Sequence, residues 1–95
     1  MGLSNDAFSR FGTWKERGRM LQLIVFASSG RWDTWRGVIS AVDNFDQVIS
    51  FQDQASRRLI TLEILKGATF RLGEHSVEAI CHWEVRLLFE ELPIC

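Results

Sequence analysis

The period of the apolar residues changes after Gly18, and this change limits the fold more than any other feature of the sequence. Upstream, Phe8 and Phe11 are spaced to share one face of a short helix, and Gly12 is suited to end it in the left-handed conformation. Downstream, short apolar or alternating runs are separated by turn residues, which is typical of β-strands. The sequence therefore predicts a mainly β protein with a short N-terminal helix.

Five strands are expected between residues 20 and 72. The first run is almost continuously apolar, as in a strand that is buried on both faces. The second contains Gly37, and a glycine inside a strand indicates a bend or a bulge. Short strands in this number, joined by tight turns, are typical of a small, strongly bent barrel of the SH3-like or OB-like kind. The expected strands are 20–27, 35–43, 48–52, 60–64 and 68–72.

The last part of the chain, residues 73–95, leaves two interpretations open. Every odd position from Ala79 to Phe89 is apolar and most even positions are polar, which favours one extra C-terminal strand. Glutamate and leucine are good helix formers, so a helix is the alternative. We expect residues 1–72 to form the barrel with its helix, and residues 73–95 to be a C-terminal extension packed on the same domain.

The charges of the chain are distributed unevenly. A length of 95 residues suits one domain, and a net charge of −1 argues against binding of nucleic acid by bulk attraction alone. Residues 1–72 carry ten Lys and Arg against seven Asp and Glu, whereas residues 73–95 carry one against five. The main part is thus mildly basic and the extension is acidic.

The cysteine and histidine residues give no sign of a metal site or of catalysis. Cys81 and Cys95 are too few for a disulfide framework, and the spacing of His75, Cys81 and His82 fits no zinc signature. We found no pairing of a nucleophile with a base and no phosphate-binding loop. No apolar run is long enough to span a bilayer. The sequence predicts a cytoplasmic protein that is not an enzyme and needs no cofactor, metal or membrane.

Two short motifs, in the order of the expected strands, resemble the Sm-like family (Sm/LSm and Hfq-like proteins). Residues 36–49 contain Arg36-Gly37-Val38-Ile39, which resembles the hydrophobic-Gly-hydrophobic start of the family's first motif, then an Asp-x-Phe turn at 43–45 and another strand. Residues 64–70 contain a hydrophobic pair, Lys66-Gly67 and a further hydrophobic residue. The resemblance covers residues 4–72 and does not include the acidic extension. It implies a five-stranded Sm-like barrel that assembles into a closed homo-oligomeric ring.

In that family the two motif turns line the ring and bind one unstacked base per subunit. The resemblance implies that Phe45 stacks on a base, that Gln47 bonds to the base edge and that Lys66 meets phosphate or the second face of the base. Asp43 is expected to accept hydrogen bonds from backbone N–H groups of its own turn. The implied partner is single-stranded RNA, with DNA as the other choice. The implied nucleic-acid-binding residues are Asp43, Asn44, Phe45, Gln47, Lys66 and Gly67.

Departures from the family pattern favour a second function. Gln47 stands where most members have Asn, and Lys66 replaces the commoner Arg, which loses a bidentate contact. Asp46 adds a negative charge beside the implied pocket. The first hypothesis is a ring that binds nucleic acid in RNA or DNA processing or metabolism. The alternative is an oligomeric scaffold or protein-interaction module that keeps the fold and has lost the base pocket.

The aromatic residues also have structural explanations. Phe45 is equally suited to plugging the barrel as to stacking on a base. Trp32 and Trp35 are better explained as caps on an open barrel end than as base platforms. Binding that does not use the motif turns would depend on the surface arginines Arg57, Arg58 and Arg71.

Overall fold

A computed structural model describes residues 3–93 of the chain. It confirms a mainly β protein with one short N-terminal helix, α1 (Leu3–Arg17). Five strands and one C-terminal strand were expected, and the described residues form seven, with a 3₁₀ turn (His82–Glu84) before the last. The strands are β1 (Leu21–Ala27), β2 (Gly30–Asp43), β3 (Val48–Asp53), β4 (Leu59–Leu62), β5 (Thr69–Leu72), β6 (Ser76–Ile80) and β7 (Arg86–Glu91).

Helix α1 was expected to end at Gly12, but it continues to Arg17. Its apolar face, made of Phe8, Phe11 and Trp14, is buried. Glycine inside a helix costs about 1 kcal/mol relative to alanine. Burial of a single large aromatic side chain stabilises by about 1.5–3 kcal/mol, so the packing of Trp14 outweighs the glycine.

The helix ends instead at Gly18, which adopts a φ of 60°. The N–H of Gly18 donates to the carbonyl of Lys15 at 3.1 Å, and the N–H of Arg19 donates to the carbonyl of Trp14 at 3.0 Å. This pair of hydrogen bonds is the Schellman arrangement, in which the left-handed residue is usually glycine. The signal for the end of the helix was therefore Gly18 and not Gly12.

The seven strands form one antiparallel sheet in the order β4-β3-β2-β1-β7-β6-β5. The C-terminal residues are thus neither one long strand nor a helix, because β6 and β7 pair with each other across the 3₁₀ turn. The predicted alternation holds on either side of this turn, where Ala79, Leu87 and Phe89 are buried. The side chain of Trp83, at the turn, lies outside the described residues.

Strand β2 changes its partner at Gly37. Residues before Gly37 pair with β1 and residues after it pair with β3, while Gly37 itself lies opposite both Leu21 and Asp53. A Cβ atom at this position would collide with the backbone carbonyl of Gln52. Glycine is required here by the close approach of β3, and the pairing of β2 with β3 is irregular a little further on, between Ile39 and Ala41.

One hydrophobic core joins α1 to both ends of the sheet. Phe70 of β5 lies 5.8 Å from Phe8 between ring centroids, and Phe89 of β7 lies 5.0 Å from Phe11. Ile49 and Phe51 of β3 are buried in the same cluster. Because strands near both edges contribute to one core, the sheet is curved around it.

The edge strands β4 and β5 follow one another in the chain and are joined by residues 63–68. Each edge carries two exposed side chains, Leu59 and Thr61 on β4, and Thr69 and Arg71 on β5. In the described part of the chain, no helix has the length and apolar character needed to cross a membrane.

Candidate nucleic-acid interface

The two turns that the sequence singled out meet in space. The first turn, residues 44–47, joins β2 to β3, and the second, residues 63–68, joins β4 to β5. The side-chain oxygen Oε1 of Gln47 accepts a hydrogen bond from the backbone N–H of Gly67 at 3.3 Å. Residues 20 positions apart in the sequence therefore form one surface.

Asp43 fixes the shape of the first turn. Its Oδ1 atom accepts hydrogen bonds from the N–H of Phe45 at 3.0 Å and from the N–H of Asp46 at 3.1 Å. This is the role that was predicted for Asp43, and it is typical of aspartate at the start of a turn. The consequence is that the next residues project from the sheet on a defined backbone.

Phe45 projects from this turn into solvent, with 93% of its surface exposed. The interpretation of Phe45 as a plug of the core is therefore wrong. A large apolar side chain that is almost fully exposed gains nothing for the fold from burial. It does, however, present a ring face to which a planar ligand has access.

Backbone conformation sets Gln47 and Gly67 apart from their neighbours. Gln47 has a φ of 58° and Gly67 has a φ of 80°. A left-handed conformation is common for glycine but costs of order 1 kcal/mol for a residue with a Cβ atom. Such strain persists only where the surroundings hold it, and the hydrogen bond to Gly67 is one contact that holds Gln47.

A shallow cavity of about 320 Å³ lies beside the first turn, between it and helix α1. The turn contributes Asn44 and Gln47, and the helix contributes Asn5, Phe8 and Ser9. Four side chains of the lining carry amide or hydroxyl groups that can donate or accept hydrogen bonds at the edge of a base. The position of α1 beside this turn could not be predicted from local patterns, because the two segments are distant in the chain.

His82 is a further residue that the sequence did not predict here. Built on Gly67, a Cβ atom would lie 3.5 Å from His82 Nε2, so the imidazole borders the second turn. His82 is exposed and belongs to the 3₁₀ turn between β6 and β7. It lies outside the segment that resembles the Sm-like family, so no motif could have indicated it.

No family model, curated protein or solved structure matches this chain. The function of the surface is therefore inferred from its own geometry and chemistry.

The charges around the two turns are mixed. Lys66 is exposed on the second turn, while Asp43 and Asp46 are exposed on the first. The backbone N–H of Lys66 donates a hydrogen bond to the carbonyl of Glu63 at 3.4 Å. The surface thus offers one ammonium group to a phosphate and three exposed carboxylates that would repel it, those of Asp43, Asp46 and Glu63.

The candidate metal ligands are not grouped in the structure. Among the described residues, no three His, Cys, Asp or Glu side chains are placed to hold one ion. Cys81 is buried in the core, as was predicted from its position on the apolar face. Burial raises the pKa of the Cys81 thiol from 9.0 to about 11, so it is protonated at neutral pH.

The other aromatic and basic candidates fall into two groups. Trp32 is 74% exposed, which contradicts its interpretation as a cap, whereas Trp35 is half-buried against the core. Arg71 forms an ion pair with Glu78 at 3.9 Å. Arg57 and Arg58 are exposed on the loop between β3 and β4.

Proposed function

We propose that this chain is an Sm-like, ring-forming protein that binds single-stranded nucleic acid, RNA in the first place, in RNA or DNA processing or metabolism. The observation that carries the proposal is the hydrogen bond between Gln47 and Gly67, which joins the two turns beside the exposed ring of Phe45. An exposed aromatic ring beside hydrogen-bonding groups suits an unstacked base. Stacking of one base on such a ring is worth roughly 1–3 kcal/mol.

Each residue of the surface has a defined part in this proposal. The ring of Phe45 stacks on the base, and the amide groups of Asn44 and Gln47 bond to its edge. Lys66 meets the backbone phosphate. Gly67 has no side chain and so lets the nucleic acid approach the turn. Binding of this kind involves no catalysis, cofactor or metal.

The edges of the sheet support the assembly of a ring. Strands β4 and β5 each have one side without a partner strand among residues 3–93. Pairing of β4 in one copy with β5 in the next would cover both edges, and repetition of this head-to-tail contact closes a ring. In this proposal the curved sheet is a strongly bent Sm-like barrel, and the ring repeats a weak base contact several times along one strand of RNA.

Two carboxylates favour the second candidate function. Asp43 and Asp46 are exposed on the same turn as Phe45, and their charges oppose the approach of phosphate. Trp32 and Leu59 are exposed large apolar residues, 74% and 62% of whose surface is accessible, and such residues serve protein contacts equally well. The alternative is an oligomeric scaffold or protein-interaction module that does not bind nucleic acid.

Fluorescence anisotropy with labelled U-rich and A-rich RNA, at low and moderate salt, separates the two functions. We expect salt-sensitive binding that Phe45→Ala weakens by at least about tenfold, because loss of even one stacked base costs roughly 1–3 kcal/mol and every subunit of the ring carries the substitution. Trp32→Ala is the matched control, since it removes another exposed aromatic ring that lies outside both turns. Absence of binding even at low salt would contradict the proposed binding of nucleic acid and favour the scaffold function.

The ring is tested separately by native mass spectrometry and light scattering. We expect one closed oligomer at micromolar concentration, with the same mass for the wild type and for Phe45→Ala. A monomeric mass would contradict the ring and leave any binding to be explained by a single subunit.

A further inference from the structure

Three neighbouring cavities meet at the far end of β3 from the two turns. Their volumes are about 260, 440 and 520 Å³, and Asp53 lines all three. β3 runs from Val48, next to Gln47, to Asp53, which separates the two ends by roughly 17 Å at about 3.3 Å per residue. We name the combined surface the arginine groove; it is lined by Trp35, Arg36, Asp53, Gln54, Arg57 and Arg58.

The loop that forms one wall of the groove is tightly built. Oδ2 of Asp53 accepts hydrogen bonds from the N–H of Ser56 at 2.9 Å and from its hydroxyl at 2.8 Å. The N–H of Arg57 donates to the carbonyl of Asp53 at 2.8 Å, and the N–H of Asp53 donates to the carbonyl of Arg58 at 2.9 Å. The two arginine side chains are thus carried on a fixed backbone.

Arg57 itself adopts a φ of 64°. Glycine or asparagine would adopt this conformation with less strain, so the fold gains nothing from arginine at this position. Residues held in a strained conformation are found most often where a side chain is needed for binding or catalysis. Three described residues other than glycine have a positive φ, Gln47, Arg57 and Glu84, and the first two lie at opposite ends of β3.

Among the described residues, three arginines outside the groove form ion pairs, whereas those of the groove form none. Arg19 pairs with Glu91, and Arg71 and Arg86 pair with Glu78. Within residues 3–93, by contrast, no ion pair involves the groove arginines. Their positive charges are therefore available to an anionic ligand from outside. These unpaired arginines are Arg36, Arg57 and Arg58.

One carboxylate lies in the groove and is already engaged. The two hydrogen bonds from Ser56, that from its backbone N–H above all, hold the pKa of Asp53 below its ordinary value of 3.8. Asp53 is thus ionised at neutral pH, with Oδ2 directed to Ser56. It builds the loop, and its single charge opposes three arginine charges.

The groove also has an apolar floor. Trp35 is half-buried, packs against the core and lines two of the three cavities. Leu59 lines the cavity of about 520 Å³ and is exposed. An anchored indole ring beside unpaired guanidinium groups combines a stacking surface with phosphate ligands, and this is the combination that single-stranded nucleic acid requires.

The edge of β2 beside the groove is poorly suited to adding a peptide strand. The N–H of Thr34 donates to Oδ1 of Asp33 at 2.8 Å, and the carbonyl of Arg36 accepts from the N–H of Gln54 at 2.8 Å. Two of the backbone groups that would bind a peptide by strand addition are therefore occupied. A ligand recognised through its charge and its planar rings fits better.

We propose that the arginine groove is a second binding site for single-stranded nucleic acid, in which Arg36, Arg57 and Arg58 hold phosphates and Trp35 stacks on a base. The site does not depend on Phe45 or on Gln47, because it lies at the other end of β3. A strand that occupies both surfaces would pass across the outer face of one subunit. Binding would then persist, with reduced affinity, when either surface is removed.

The test measures the affinity of a labelled 15-nucleotide single strand for the full chain by anisotropy, between 50 and 200 mM salt. The test variant is the double substitution Arg57→Gln and Arg58→Gln. The matched control is Lys15→Gln with Arg17→Gln, which also removes two exposed positive charges, from the end of α1. Circular dichroism melts of all variants check that the fold is retained.

The slope of log K against log salt is negative, and we expect the groove variant to reduce its magnitude by about 1.4. Two phosphate contacts are lost, and each contact on a single strand contributes about 0.7. The control should change the slope by less than half of that. Equal changes in the two variants would show that binding follows net charge, and would overturn the groove. So would binding of an acidic peptide in place of the oligonucleotide.

The same measurements keep the two sites apart. Full affinity for the groove variant together with loss of binding in Phe45→Ala would overturn the groove and leave the proposed function standing. Loss of binding in the groove variant together with full affinity in Phe45→Ala would support the groove and contradict base binding at the two turns. Photo-crosslinking of a 4-thiouridine strand, mapped by mass spectrometry, should label Trp35 or residues 53–58; labels confined to residues 43–47 and 66–67 would also overturn the groove.

Discussion

The indole Nε1 of Trp14 donates a 2.8 Å hydrogen bond to the Oε2 atom of Glu91, 77 positions further along the chain. The same carboxylate accepts a hydrogen bond from Arg19 Nε at 3.2 Å and lies 3.4 Å from His75 Nδ1. The Glu91 side chain, at the end of β7, thus contacts the end of α1, the connection between α1 and β1, and the connection before β6.

Glu91→Gln should destabilise the fold at neutral pH and flatten its dependence on acid. The hydrogen bond from Trp14 and then the contacts with Arg19 hold the pKa of Glu91 below its ordinary value of 4.5. A lowered pKa means that the stabilisation is present above about pH 4.5 and is lost as the pH falls below it. We expect a loss of about 1–2 kcal/mol at pH 7, measured by urea unfolding.

The contrast with the adjacent glutamate makes this test specific. Glu90→Gln changes the same charge on the same strand and should leave the pH dependence close to that of the wild type. If the unfolding free energies of wild type and Glu91→Gln run parallel from pH 7 to pH 3, Glu91 does not contribute in this way.

Gly37→Ala should destabilise the sheet, and Gly12→Ala should stabilise the helix. A Cβ atom at Gly37 meets the backbone carbonyl of Gln52, which can move only if β3 separates from β2. We expect a loss of about 2–4 kcal/mol, in the range of severe single substitutions. At Gly12 the Cβ atom meets nothing within 4 Å, and alanine in a helix gains about 0.5–1 kcal/mol.

These two substitutions are chemically identical, so they serve as controls for each other in thermal and denaturant unfolding. Similar changes in the free energy of unfolding for Gly37→Ala and Gly12→Ala would mean that β2 tolerates a side chain at position 37. The close approach of β3 would then not be what requires glycine at residue 37.

Gln47→Gly should separate the two turns without unfolding the protein. Glycine adopts the φ of 58° at this position freely, so the substitution removes the side-chain acceptor and adds no strain. We expect the amide hydrogen of Gly67 to exchange with solvent at least about tenfold faster, since its hydrogen-bond partner is lost. Affinity for single-stranded RNA should fall as well.

An internal reference for this exchange measurement is the amide of Gly73, which donates to the carbonyl of Ser76 at 2.9 Å. Its protection should not change. Faster exchange at both amides would indicate general loosening of the sheet, and unchanged exchange at Gly67 would contradict the role of Gln47 as the link.

Much of the sheet could be predicted from the sequence, because local patterns determine it. The strands expected at 20–27 and 48–52 begin and end within one residue of β1 and β3. Gly37 indicated an irregular part of β2, where β3 approaches the backbone closely, and Asp43 indicated the turn that it holds. In each case the signal lies in the segment that adopts the structure: the alternation of apolar residues, a missing Cβ atom or a short acceptor side chain.

The parts that were not predicted depend on contacts between distant segments. The turn at 82–84 contains no glycine, proline or asparagine, and Glu84 adopts a φ of 60° in it. No local signal marks it, because tertiary pairing of β6 with β7 imposes it. The same pairing places both strands between β1 and β5, and this position brings His82 to the candidate interface.

Cys81 should react slowly with alkylating agents while the protein is folded. Its burial raises the thiol pKa from 9.0 to about 11, and the thiolate is the reactive form. A shift of this size lowers the thiolate fraction at pH 7.5 by about 100-fold, and burial of the sulfur slows access further. Iodoacetamide labelling in buffer and in 6 M guanidinium, with the Cys81 peptide scored apart from Cys95 by mass spectrometry, measures both rates. Equal rates in the two conditions would mean that Cys81 is accessible in solution and that the strand pairing around it opens readily.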